Sequence, residues 1–160
     1  MINRRHIRIK VMQSVYALLQ SKSDNLTKEE NFLSTSITNI HNLYVLILRL
    51  LVEVRNMERN HIKISKKKFL ATSQELNPNC KFIDNALFQL IDESTSLNNY
   101  IEANKLSCWD IDDEYVKDVW KLTKESEWYA AYMKSTKPSF QEDKDFVVSL
   151  FKNIIAPNDK

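Results

Sequence analysis

The chain has 160 residues, 43% hydrophobic and 28% charged, with a net charge of +2 and no glycine at all. That length predicts one domain with a real core, and the composition fits neither a disordered chain nor a membrane protein. Without glycine at positive φ, phosphate-cradling loops, dinucleotide-binding turns, nucleophile elbows and most all-β designs are excluded.

An all-helical chain loses least from that absence, because asparagine can close helices instead. The charge is uneven. Residues 1–68 hold 13 Lys/Arg against 5 Asp/Glu, whereas residues 69–160 hold 10 against 16. A basic half and an acidic half point to a polyanion partner on the first, against the plainer reading of chance clustering on solvated helices.

The first helix is predicted over roughly residues 5–21. Ile7, Val11, Ser14, Val15 and Leu18 group on one side of a helical wheel, with Met12, Tyr16 and Leu19 widening an arc expected to be buried. His6, Lys10, Gln13 and Gln20 make the polar side. Arg4 and Arg8 fall on the apolar side, which places them at a rim beyond the end of the core. Ser21–Leu26 reads as a polar turn, and Thr27-Lys28-Glu29-Glu30 as a capping box.

A long helix follows. Leu33, Ile37, Ile40, Tyr44, Ile47, Leu51 and Val54 alternate spacings of four and three, and Leu43–Val54 is apolar enough to be the enclosed centre of a bundle. Its longest apolar run, Leu43–Leu48, is interrupted by Arg49 and Glu53, short of the ~20 residues that a bilayer requires. No signal-peptide core follows the basic N-terminus, so a soluble, cytoplasmic protein is expected. Arg49, Arg55, Arg59, Lys63, Lys66, Lys67 and Lys68 form a second basic region.

Asn77-Pro78-Asn79 breaks the pattern, and Phe82, Ile83, Leu87, Leu90 and Ile91 resume it. A weaker unit spans Leu97–Asn104, and Tyr115, Val116, Val119 and Trp120 mark the next. Thr136-Lys137-Pro138 closes that segment. Ser139-Phe140-Gln141-Glu142 reads as a capping box ahead of a last helix with Phe146, Val147, Leu150, Phe151, Ile154 and Ile155, ending before Pro157. No alternating strand pattern appears. The fold class is all-α, a single-domain helical bundle with a long central helix.

Chemistry-bearing motifs are few. Cys80 and Cys108 lie far apart without a CxxC or histidine pair, so they read as free, buried thiols of a reducing cytosol and not as a zinc site or disulfide. Asp110, Asp112, Asp113 and Glu114 lack the glycine and final glutamate of a calcium loop, and read as acids favouring a helix dipole. His6, His41 and His61 form no metal-ligand spacing. Trp109, Trp120 and Trp128 fall at helical intervals and read as core. No nucleophile-and-base pairing is assignable, so no enzyme, cofactor or metal is expected.

The best functional candidate is Arg4-Arg5-His6-Ile7-Arg8-Ile9-Lys10. Positive charge at a helix start opposes the helix dipole, a mild penalty that a bound anion relieves. Arginine also stacks on bases and pairs with phosphate. Gln13 lies on the polar face, where it can read a base edge, and Tyr16 is expected to pack. Lys66-Lys67-Lys68 is a weaker, secondary basic patch.

This arm and first helix resemble the NusB family of bacterial transcription antitermination factors. The family opens R-R-x-A-R and continues x-x-A-x-Q-x-L-Y. Arg4, Arg5 and Arg8 match its basic positions, Gln13 its glutamine and Tyr16 its tyrosine, with Ile7, Val11 and Val15 replacing smaller or similar apolar residues. The helix Asp145–Ile155 is similar to the family's aromatic-x-x-x-leucine helix, with Asn153 where glycine is common. On this resemblance residues 1–22 are the arm and first helix, 23–138 inserted helices, and 139–156 a NusB-like helix. The family's later helices, with their VNxA-type pattern, have no counterpart before Lys160, so the chain looks like the N-terminal part of a long variant.

The resemblance implies a non-enzymatic all-α protein that binds single-stranded boxA RNA and pairs with ribosomal protein NusE to modify RNA polymerase. Arg4, Arg5, His6, Arg8, Lys10 and Gln13 are its expected RNA contacts. Two other readings stand beside it. One is a protein–protein adapter working through the inserted helices and acidic half. The other is a fusion to an RNA methyltransferase, for which no S-adenosylmethionine motif is present.

Overall fold

The computed structural model describes residues 3–21, 25–69, 72–135 and 139–158, with only the backbone for Gln74, Cys108 and Asp110. The polar turn at Ser21–Leu26 lies partly outside those residues, and Thr136-Lys137-Pro138 and the Cys108 side chain wholly outside. The protein is an all-α helical bundle with a long central helix. Among the described residues there is no strand. Two compact units divide it, Met1–Ile47 and Leu48–Lys160.

The first unit holds α1 (Arg4–Ser21) and the start of α2 (Leu26–Lys66). Asn3 starts α1: its side-chain oxygen accepts the His6 backbone N–H at 3.0 Å. Asn25 starts α2 in the same way, accepting from the Lys28 N–H at 3.0 Å. The box read at Thr27 is therefore misplaced, because an asparagine two positions earlier already holds the helix start.

The expected buried arc of α1 is also corrected. Ser14 is its buried residue, flanked at i−4 and i+4 by half-buried Lys10 and Leu18. Ile7, Val11 and Val15 are 40–49% exposed, and Met12, Tyr16 and Leu19 are 64–75% exposed. Within its unit α1 has one helical neighbour, and one neighbour covers one side of a helix.

The second unit takes the remainder of α2, then α3 (Ser73–Leu76), α4 (Ala86–Asp92), α5 (Thr95–Asn104), α6 (Cys108–Ile111), α7 (Asp113–Glu125), α8 (Glu127–Lys134) and α9 (Phe140–Leu150). A π-helical turn, Phe151–Ile155, extends α9, and the Ala156 N–H closes it on the Phe151 carbonyl at 2.8 Å. Leu50, Leu51, Val54, Phe82, Phe88, Val116, Val119, Tyr132, Phe146 and Leu150 belong to one core. The α2 seam departs from the expected one. Tyr44 and Leu43 are exposed and Ile47 half-buried, whereas Leu50, Leu51, Val52, Val54 and Arg55 are all buried. Burial on so many consecutive positions means that helices pack around this stretch, not along one stripe.

Charge does not interrupt α2. Arg49 and Glu53, one turn apart, pair with each other at 2.7 Å, and both carry on through the helix. By length and composition α2 is apolar enough to cross a membrane, and its Leu50, Leu51 and Val54 belong to the core of the second unit.

Aromatic packing organises that core. Phe82 meets Phe88, Tyr129 and Phe146 edge-on, and Tyr132 stacks on Phe146 with centroids 4.2 Å apart. Asn85 is buried because it starts α4, accepting the Leu87 and Phe88 N–H groups, and donates to the Tyr132 hydroxyl. Lys81 Nζ donates to the Tyr132 and Ser135 carbonyls at the end of α8 and pairs with Glu142 at 3.1 Å. A cation there complements the helix dipole. It also explains why the Ser139 box does not close: Ser139 makes no capping hydrogen bond, and Glu142 is engaged with Lys81 instead.

The box that does close is Thr72–Glu75, at the start of α3. Trp109 and Trp120 pack against the core, but Trp128 is 48% exposed. Helix α8 turns Tyr129, Tyr132 and Met133 inward and leaves Trp128 at the edge. Cys80 is a free, half-buried thiol. Lys105 ends α5 at φ 53°, the one positive φ among the described residues, and the Leu106 N–H returns to the Ile101 carbonyl at 3.0 Å.

Candidate nucleic-acid interface

Helix α1 contains no acid between Arg4 and Ser21, and Arg4, Arg5, His6 and Arg8 are exposed at its capped start. Among the described residues Arg4, Arg5, Arg8 and Lys10 have no ion-pair partner. The helix distributes the expected site residues over two sides. Arg4 and Arg8, at i and i+4, continue into Met12, Val15 and Leu19 along one exposed stripe. His6, Lys10 and Gln13 share the other side, and Arg5 stands over Ile9, Met12 and Tyr16. A strand following the helix start can reach both sides, since the helix is only ~10–12 Å across.

Tyr16 was expected to pack. Instead it is 64% exposed, and Gln20 Nε2 donates to its hydroxyl at 3.0 Å. It therefore joins the Arg5 side as a stacking surface. The signal was its four-residue spacing from the exposed Met12 and Gln20, which an assumed core position concealed.

Lys10 lines a cavity of about 320 Å³ within the first unit, facing Phe32, Thr35, Ser36, Asn39, Ile40 and Leu43 of α2. None of those α2 positions was a site candidate, because the apolar seam drew attention to Leu33, Ile37 and Ile40.

Three of the seven cations of the second basic region, Arg49, Arg55 and Lys68, are paired with acids. Arg55 is 1% exposed and bonds Asp92 at 2.5 Å, and Arg49 lies 3.7 Å from the same carboxylate. The Arg55 Nε is buried without a partner among the described residues. Of the lysine triplet, Lys68 pairs with Glu75 at 2.7 Å, and Lys66 and Lys67 remain exposed. That ion pair, with the Thr72 backbone N–H, pulls the Glu75 carboxyl from 4.5 down to about 2. The triplet and the arm fall in different units.

A separate cluster of ionisable groups lies in the second unit. Glu58, nearly buried, accepts from Trp120 Nε1 at 2.7 Å and from Lys124 at 3.2 Å, and His61 lies 5.2 Å from the Trp120 ring. Burial, then the Glu58 charge, pushes the Tyr129 phenol above its ordinary range. The carboxylate is satisfied on both oxygens, which is what an internal charge needs to remain folded. No group of three or more His, Cys, Asp or Glu able to hold a metal occurs among the described residues. Asp113 and Glu114 occupy the first turn of α7, where Asp113 pairs with Lys117.

Compared with family models, curated proteins and solved structures, the chain matches none.

Proposed function

We propose that this chain is a non-enzymatic RNA-binding module of the NusB antitermination type, which takes single-stranded, boxA-like RNA on the start of α1. The observation carrying this reading is the arm itself: exposed cations that have no partner among the described residues, on a helix start that contains no acid. Positive charge at that end opposes the dipole, and an incoming phosphate reverses the penalty. Arginine planes and Tyr16 supply stacking for unpaired bases, which duplex RNA hides in its deep, narrow groove. On the resemblance, NusE and the RNA polymerase antitermination complex are the protein partners and the cytoplasm the place of work. No metal or cofactor enters this reading.

A second reading, a helical protein–protein adapter, draws on the exposed apolar stripe Met12, Val15 and Leu19. Salt titration of single-stranded RNA affinity separates the two. An RNA module loses affinity linearly on a log–log plot, with a slope set by the phosphates neutralised. An adapter shows no measurable RNA affinity to titrate.

A further inference from the structure

We infer that the cavity between α1 and the first half of α2 holds one unpaired nucleobase of the bound strand, an inference that rests on the RNA reading above. Its volume of about 320 Å³ falls at the small end of ligand cavities. Phe32, Thr35, Ser36, Asn39, Ile40 and Leu43 recur at helical spacing and present one face of α2.

That face combines three features that a base needs. Phe32 is 60% exposed and offers an unoccupied ring for stacking. The Asn39 amide carries both donors and an acceptor, and makes no hydrogen bond among the described residues, so it is available to a base edge. Ile40 and Leu43 supply the apolar wall.

The choice of a nucleotide over a peptide comes from charge. Lys10 enters the lining half-buried, and among the described residues it has no ion-pair partner and no carboxylate lines the cavity. A base in the cavity leaves its own phosphate beside Lys10 and the next ones toward Arg4, Arg5 and Arg8. The arm then grips the backbone, and the cavity fixes which nucleotide sits where.

The test is an abasic scan of a short single-stranded RNA, read by fluorescence anisotropy with wild-type protein and with the Phe32→Ala and Asn39→Ala variants. Both side chains are exposed at the cavity, so far-UV circular dichroism of the variants should match wild type. In wild type, one abasic position should weaken binding about tenfold more than its neighbours. In either variant that position should lose its distinction, while the salt slope set by the arm stays unchanged. Equal losses at every position, or variants that scan like wild type, overturn the cavity site and leave the arm reading intact. Absence of any RNA binding by wild type overturns both. Concentration-dependent self-association abolished by Phe32→Ala would give the cavity to a second copy of this chain, and also overturn the proposal.

Discussion

The Tyr132 hydroxyl donates to one oxygen of Asp143 at 2.6 Å, and the other oxygen of that carboxylate accepts the Ala86 backbone N–H at 2.9 Å. One side chain near the start of α9 thus holds α8 and the first turn of α4 together. Asn85 completes the link by donating to the Tyr132 hydroxyl and to the Asp143 carbonyl. Burial, reinforced by Asp143, pushes the Tyr132 phenol above its ordinary range.

Replacing Asp143 by alanine removes both acceptors and leaves the Tyr132 hydroxyl and Ala86 N–H to find others. Leaving buried donors unpaired costs about 1–3 kcal/mol each, so urea denaturation should show a loss of about 2–4 kcal/mol. A loss below about 1 kcal/mol would mean that the three helices are held by apolar contact alone.

Arg55 and Asp92 predict an asymmetric pair of variants. Asp92→Ala strands a cation that is 1% exposed, and should destabilise by about 3 kcal/mol, the low end for a broken buried pair because Asp92 keeps partial solvent access. Arg55→Met removes the charge with its desolvation, and should change stability by less than about 1 kcal/mol. Equal losses in the two would refute the asymmetry.

Glu75 carries the acid dependence of the α3 start. Its carboxyl is lower in the folded chain than in the unfolded one, so its contribution is complete above 4.5 and disappears as pH falls toward about 2. Carboxyl NMR titration of Glu75 should give a midpoint near that lower value, and Lys68→Met should move it upward. A midpoint left unchanged by Lys68→Met would show that Thr72, not the lysine, holds it down.

For the arm, each phosphate neutralised adds about 0.7 to the salt slope of single-strand binding. Replacing Arg4, Arg5 and Arg8 together by alanine should flatten the slope by about two units without unfolding the chain, since all three are exposed. Replacing Lys66, Lys67 and Lys68 should do less, because Lys68 is already paired. Unchanged affinity and slope in the arginine variant would hand the lead to the adapter reading.

Class and central helix were legible because periodicity and the absence of glycine are local properties of the chain. Leu50, Leu51, Val52 and Val54 were placed in the enclosed stretch because it is apolar on all sides, but Leu43 and Tyr44 at its start are exposed, since a wheel cannot say how many neighbours a helix has. The same limit hid Tyr16 and misjudged Trp128: exposure depends on what packs opposite. Arg55 looked like part of a basic surface because its partner, Asp92, is 37 residues away. Glu142 was assigned to the wrong hydrogen bond for the same reason, Lys81 being distant in sequence and adjacent in space. The exposure of Arg4, Arg5 and Arg8 was legible because, among the described residues, no distant acid pairs with them.

Lys105 holds a backbone conformation that its β-carbon opposes, at about 1–2 kcal/mol relative to a right-handed residue. Six helix starts, by contrast, are closed by a side chain: Asn3, Asn25, Thr72, Asn85, Ser94 and Ser126 each accept a backbone N–H. The chain therefore retains thermal headroom at one position outside every proposed contact. Lys105→Gly should raise the melting temperature by a few degrees, and would introduce the first glycine into a sequence that otherwise manages its turns without one.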